Sequence, residues 1–162
     1  MGRNSTRTTS KIMQPITFER LHNNFDLKLQ DKGFIVVVQR EWVVKGENRM
    51  SYTTALKLAE CCREYHWTKD ICSKSEVVLD STVRNLSAEF RAPIFIGDEV
   101  SIIYSVPHIG TRSYILQVEI KKSDNFESAV IISLTNVFLD SDGESVEFSQ
   151  VVRFSLSTLV PH

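Results

Sequence analysis

Residues 42–67 read WVVKGENRMSYTTALKLAECCREYHW. The stretch opens as the β-branched end of a strand and closes as an amphipathic helix. From Ser51 to Trp67 it contains no Pro or Gly. Ala55, Leu58, Ala59, Cys62 and Tyr65 recur at steps of three and four, which makes one apolar stripe along a helix. Lys57, Glu60, Arg63 and Glu64 fall on its other faces. The turn between strand and helix, KGENRMSY, gathers a Gly, a carboxylate, an amide, an Arg and two hydroxyls. That composition suits a helix cap, and it equally suits chemistry at a helix N-terminus.

On either side the pattern is that of strands. FIVVVQREWVV (34–44) is rich in β-branched residues and apolar on both faces at first, as a covered strand is. SEVVLDSTVRNLSAEF (75–90) alternates around Val77, Leu79, Ser81 and Val83. DEVSIIYSV (98–106) alternates through Val100, Ile102, Tyr104 and Val106, and RSYILQVEIKK (112–122) puts Tyr114, Leu116, Val118 and Ile120 on one face. SAVIISLTNVFLD (128–140) continues with Val130, Ile132, Leu134 and Phe138, and SDG at 141–143 ends it. HIGT and SDNFES have turn composition. There is no internal repeat. Strand, long helix, then four strands on short turns is an α+β order, with an antiparallel sheet wrapped on one central helix. One helix cannot cover both faces of such a sheet, so the uncovered apolar positions predict dimerisation or a second sheet alongside.

The chain has 162 residues, 42 % of them hydrophobic, enough for one domain with a real core. Its formal charge of −1 gives no field that would attract nucleic acid or a cationic partner. Cys61, Cys62 and Cys72 are odd in number and two are adjacent, so they are no disulfide framework and no zinc motif. Free thiols point to a cytoplasmic, reducing setting, with the helical pair serving as small hydrophobes. No apolar run is long enough for a membrane span.

Residues 1–15, MGRNSTRTTSKIMQP, form a basic arm rich in Ser and Thr. Its composition fits a disordered arm and an organelle-targeting segment, and MGRNST also matches a loose myristoylation pattern. Residues 16–33, ITFERLHNNFDLKLQDKG, read as an extension carrying a short helix or turn that lies on the main domain, 34–162.

AEFRAPIFIGDEVSIIYSVPHIGTRSYILQVEI (88–120) resembles the 4-hydroxybenzoyl-CoA thioesterase branch of the hot-dog superfamily. The resemblance lies in Phe90, Arg91 and Pro93, then Gly97, Asp98, Glu99 and Val100 leading a strand, then Gly110, Arg112, Ser113 and Tyr114. SAVIISLTNVFLD resembles the family's last long strand, and ECCREYHW the end of its helix. The resemblance covers roughly residues 34–155. It implies a hot-dog fold, hydrolysis of an acyl-CoA or acyl-carrier-protein thioester, no cofactor beyond the CoA or phosphopantetheine carried by the substrate, and a homodimer or homotetramer. Many members carry Asp-x-x-Gly-His-Val-Asn-Asn before the helix. With Gly46 on that Gly, the Asp position holds Val43, the His position Glu47, and the next three Asn48, Arg49 and Met50. Polyketide-associated members lack the Asp too, and resemble this chain in the CRE near the helix end. The fold also hosts non-catalytic acyl binders, which keeps an acyl-thioester scaffold open as the alternative.

Thioester hydrolysis needs a carboxylate to orient water or attack, donors for the developing oxyanion, and a groove for the pantetheine arm. Backbone N–H groups near Met50, Ser51 and Tyr52 are the candidate donors, Glu47 the nearest carboxylate, and Asn48 a group to orient water or the carbonyl. The plainer reading makes Asn48 or Ser51 a helix cap, with Glu47 favourable at the positive end of the helix. Glu60 is the second carboxylate, since another thioesterase branch carries its own within the helix. Arg63 is a candidate for the thioester region, while a solvated Lys57–Glu60–Arg63 face is the plainer reading. His66 and His108 are lone histidines and read as satisfied or surface groups. His108, Arg112 and Lys121 are candidates for the coenzyme phosphates, because the turn near His108 often approaches them in hot-dog dimers. A dehydratase wants a His and Asp pair near the helix, and no His lies between residues 23 and 65. No residue pattern for a resident metal is present. An apolar groove is expected beside Ala55, Leu58 and Ala59.

Overall fold

The computed structural model describes residues 17–24, 27–73, 80–125 and 127–162. A six-stranded antiparallel sheet carries one long helix. The strands are β1 (Lys28–Gln30), β2 (Gly33–Val37), β3 (Asp80–Phe90), β4 (Glu99–Ile109), β5 (Ser113–Lys122) and β6 (Ser128–Leu139). Their order across the sheet is β1-β2-β4-β5-β6-β3. The helix α2 (Tyr52–His66) packs on β2, β4, β5 and β6. This is the hot-dog arrangement.

The core follows the alternation in the sequence. Val100, Ile102, Tyr104 and Val106, then Tyr114, Leu116, Val118 and Ile120, then Val130, Ile132, Leu134 and Phe138 are all buried on the helix side. Ala55, Leu58, Ala59 and Cys62 of α2 meet them. Tyr65, the last residue of the expected stripe, is only partly buried and packs on Phe18 of the short helix α1 (Phe18–Asn24). Gly33 is obligatory where β1 turns into β2: its φ is +148°, and a Cβ there would lie 1.9 Å from the carbonyl oxygen of Ile102.

Four elements differ from the sequence reading. The strand expected over 34–44 stops at Val37, and Arg40–Trp42 form a 3-10 turn that sinks Trp42 into the core at 2 % exposure. Val38 leaves the ladder but exchanges backbone bonds with Asp98 and Gly97, so the chain bends without losing its pairing. β3 shows no inward alternation. It is an edge strand, half-exposed to exposed along its length, with a bulge between Val83 and Asn85; the Val77 and Leu79 part of that expectation lies outside the described residues. The stretch 16–33 holds both α1 and the edge strand β1. Last, Gln150–Ser157 form a third helix, α3, capped by Ser149, whose Oγ accepts from the Val152 N–H. Its buried Val152 and Leu156 are four apart, the signal that could have predicted it.

Candidate active site

Two crossing segments build the entrance to α2. Val44 donates to the carbonyl of Arg49 (2.7 Å) and Glu47 to that of Val44 (3.0 Å), closing the turn 44–49. Gly46 and Asn48 take left-handed conformations there, φ +85° and +56°. Asn is among the few non-glycine residues that tolerate this. The turn then docks on the loop after β3. Met50 donates to the Ile94 carbonyl (2.7 Å), and Ile96 to the Asn48 carbonyl (2.9 Å).

Ser51 is the N-cap of α2. Its Oγ accepts from the Thr54 N–H (3.1 Å) and donates to Thr54 Oγ1 (2.8 Å). A helix leaves its first four N–H groups without intrahelical acceptors, here those of Ser51, Tyr52, Thr53 and Thr54. Ser51 N–H goes to the Trp42 carbonyl (3.2 Å) and Thr54 N–H to the cap. Tyr52 and Thr53 therefore carry the outward-pointing donors. This corrects the expectation for Met50 and Ser51, whose N–H groups are both engaged within the fold.

Tyr52, though not Thr53, lines a pocket of about 220 Å³. Its inner wall is Met50, Ala55, Ile94 and Val130, each no more than 6 % exposed. Tyr52 and Phe90 stand at the opening with ring centroids 4.5 Å apart, and Arg49 and Arg91 complete the rim. Each rim arginine is held by a carboxylate two residues earlier: Arg49 Nη2 to Glu47 Oε2 at 2.7 Å, and Arg91 Nε to Glu89 Oε1 at 2.9 Å. The Arg91 hydrogen bond keeps Glu89 below the ordinary carboxylate range.

The sequence candidates separate into four places. Glu47, Asn48 and Ser51 share the turn into α2, where Ser51 lines the pocket and Glu47 reaches it only through its bond to the lining Arg49. Glu60 and Arg63 lie about 13 and 18 Å beyond Ser51 along the helix axis. There Arg63 clamps both Glu60 oxygens (2.6–3.1 Å) and donates to Ser81 Oγ of β3 at 3.1 Å. Lys121 pairs with Glu119 at 3.3 Å on β5, opposite Ser101. His108 is seven residues beyond Ser101 on β4, about 23 Å away along the strand. Arg112 is beyond it, bonded to the Ser145 carbonyl and paired with Glu147. Within one chain, then, His108, Arg112 and Lys121 do not form a phosphate site together. The groove expected along Ala55, Leu58 and Ala59 is one helical turn deep, because Leu58 and Ala59 are sealed in the core. Thr53 and Glu89 went unremarked, and Val130 was read only as one residue of a strand face. Phe90, Arg91 and Pro93 were legible only as a mark of the fold.

His66 is buried and satisfied. Its Nδ1 meets Asp70 Oδ2 at 2.8 Å and its Nε2 the Tyr114 hydroxyl at 2.9 Å, and Tyr104 donates to the same Asp70 oxygen. Burial and the charges of Glu64 and Glu60 push the Cys61 thiol up to about 12, and burial pushes Cys62 up as well, so neither is a ready thiolate. Among the described residues no cluster of three or more His, Cys, Asp or Glu could hold a metal ion.

A family model for the thioesterase superfamily matches residues 48–129, half of the chain and the segment that builds the pocket. The chain belongs to that superfamily. Solved structures agree on the fold. A predicted thioesterase from Bacillus stearothermophilus superposes with a TM-score of 0.68 at 16 % identity, over 78 % of this chain and 93 % of its own. A 1,4-dihydroxy-2-naphthoyl-CoA thioesterase from Synechocystis gives 0.67 at 12 %, over 79 % and 96 %. A Thermus thermophilus thioesterase, solved with coenzyme A and zinc, gives 0.64 at 18 %, over 82 % and 98 %. No curated protein sequence matches the chain.

Proposed function

We propose that this protein hydrolyses an acyl thioester carried by CoA or by the phosphopantetheine of an acyl carrier protein, and needs no other cofactor. The supporting observation is the pair of first-turn N–H groups at Tyr52 and Thr53, next to a pocket with an apolar inner wall that Tyr52 and Arg49 line, Arg49 holding Glu47 beside it. In this reading the thioester oxygen sits on those two N–H groups, where the helix dipole favours the charge that develops. Glu47 takes a proton from a water molecule as that water adds to the carbonyl carbon. The tetrahedral intermediate then collapses, the C–S bond breaks, and the thiol leaves with a proton. Asn48 orients the water, and Arg49 positions Glu47. We further propose a homodimer that pairs through the edge strand β3, which ends in Phe90 at the pocket mouth.

A second reading, acyl-thioester binding without turnover, draws on two observations. The family resemblance, with Gly46 on the motif's Gly, puts Val43 at the Asp position, and Glu47 is already bonded to Arg49. Thiol release from a panel of acyl-CoAs and acyl-carrier proteins separates the two. Glu47→Gln should lower kcat at least about hundredfold if Glu47 is the base. Full activity in that variant would remove Glu47 from the mechanism, and binding without thiol release from any substrate would favour the scaffold.

A further inference from the structure

We infer that the pocket takes a compact apolar acyl group, a ring or chain of about six to nine carbons, and that Ala55 and Val130 set its depth; this rests on the thioesterase reading above. An enclosed apolar cavity of about 150 Å³ holds one benzene ring; this pocket of about 220 Å³ is open at a polar rim, and its apolar inner wall takes a group of that size or somewhat larger. It lies below the range of about 300–1,000 Å³ usual for larger ligands.

The depth is fixed within this chain. Tyr52 and Ala55 are three apart on one face of α2 and both line the pocket. The next positions on that face, Leu58 and Ala59, are 0 % and 1 % exposed and do not line it. Opposite, Val130 of β6 closes the floor, and Met50 and Ile94 are locked by the backbone bond that joins their segments. A partner subunit can add to the mouth but cannot deepen the floor. Tyr52 and Phe90, 60 % and 41 % exposed, are the mouth, and they offer ring faces to an unsaturated or aromatic acyl group. The charged rim groups are paired with each other as Arg49–Glu47 and Arg91–Glu89, so the interior offers no charge to an acidic acyl group.

The test is a profile of kcat/KM across acetyl-, hexanoyl-, octanoyl-, benzoyl- and palmitoyl-CoA, repeated with the same acyl groups on a carrier protein. Affinities of the non-hydrolysable thioether analogues are measured by calorimetry in parallel. Both readouts should peak at six to eight carbons or at benzoyl and fall at least about tenfold by palmitoyl, since each misfitted methylene costs about that factor. Ala55→Leu should move the peak to shorter groups, and Val130→Ala to longer ones; the second variant adds no bulk and covers the case in which the first fails to fold. A peak at palmitoyl, or a profile that neither variant moves, overturns the inference and leaves the thioesterase reading intact. No thiol release anywhere, with analogue affinities still peaking at six to eight carbons, sinks the hydrolase reading and keeps the pocket assignment. The carrier-protein arm separates the two sources of the pantetheine chain.

Discussion

At the scale of single residues the decisive group is Ser51. Its hydroxyl bonds to both the N–H and the hydroxyl of Thr54, which is the work of a cap. Ser51→Ala should lower the unfolding free energy by about 1 kcal/mol, and Ser51→Asn should restore most of it. Denaturant titration of the three proteins checks this, and a loss well above 2 kcal/mol would mean the hydroxyl supports more than the first turn. The sequence does show that Glu47, Asn48 and Ser51 share a turn, because closeness along the chain puts them there. What it hides is the fate of the neighbouring N–H groups. Met50 gives its donor to Ile94, on the loop after β3 and far from the turn in sequence. Local chemistry therefore grouped the candidate residues in one turn and named two backbone donors that the fold engages elsewhere.

At the scale of elements, α2 is held at its two ends by different means. Its first turn is capped and docked by backbone bonds. Its last turn runs on into a π-turn, Trp67–Cys72, where His66, Asp70, Tyr104 and Tyr114 form one buried hydrogen-bonded chain. Burial alone would raise the Asp70 carboxyl, but hydrogen bonds from His66 and Tyr104 outweigh it and hold it below the usual range. Burial pushes the Tyr104 and Tyr114 hydroxyls up, Tyr104 further still through its bond to the Asp70 carboxylate, so both stay protonated donors. Because the folded carboxyl is depressed, its stabilisation is complete above the unfolded value of about 3.9 and is lost as pH falls through the folded value. Asp70→Ala should cost about 3 kcal/mol or more near neutral pH, by orphaning the groups around it. Chemical denaturation at pH 7 and again below pH 4 checks the sign: the gap between wild type and variant should narrow in acid, and a constant gap would mean that cavity formation, not charge, sets the loss. His66 was read in advance only as a satisfied or surface group, and its partners were not legible. Spacing marks His66 and Asp70 as i,i+4 neighbours, but only the sheet register brings two tyrosines from β4 and β5 onto them. The strands that alternate cleanly, β4, β5 and β6, were legible because they are central and have one buried face. β3 was misjudged because an edge strand need not alternate.

At the scale of the whole molecule the unanswered surface is that same β3. It runs eleven residues at the margin of the sheet, paired only with β6, and it exposes Leu86 at 46 % and Phe90 at 41 %. From Asn85 to Ala88 it has no charge and no proline to discourage another strand. The opposite margin is blunted instead, since β1 is only three residues long. A second copy pairing antiparallel along β3 would continue the sheet, cover Leu86, and bring partner backbone to the pocket mouth at Phe90. If so, assembly and substrate binding are coupled through one strand. Leu86→Lys should place like charges close together at that seam, without touching the core of either subunit, and weaken the dimer at least about tenfold. Sedimentation velocity over a concentration series reads the dissociation, and circular dichroism confirms that the monomer stays folded. The coupled expectation is a KM that rises as the dimer dissociates and recovers at high protein concentration. A variant that dissociates with KM unchanged would show a pocket complete in one chain, and one that remains dimeric would move the interface to another face of the sheet.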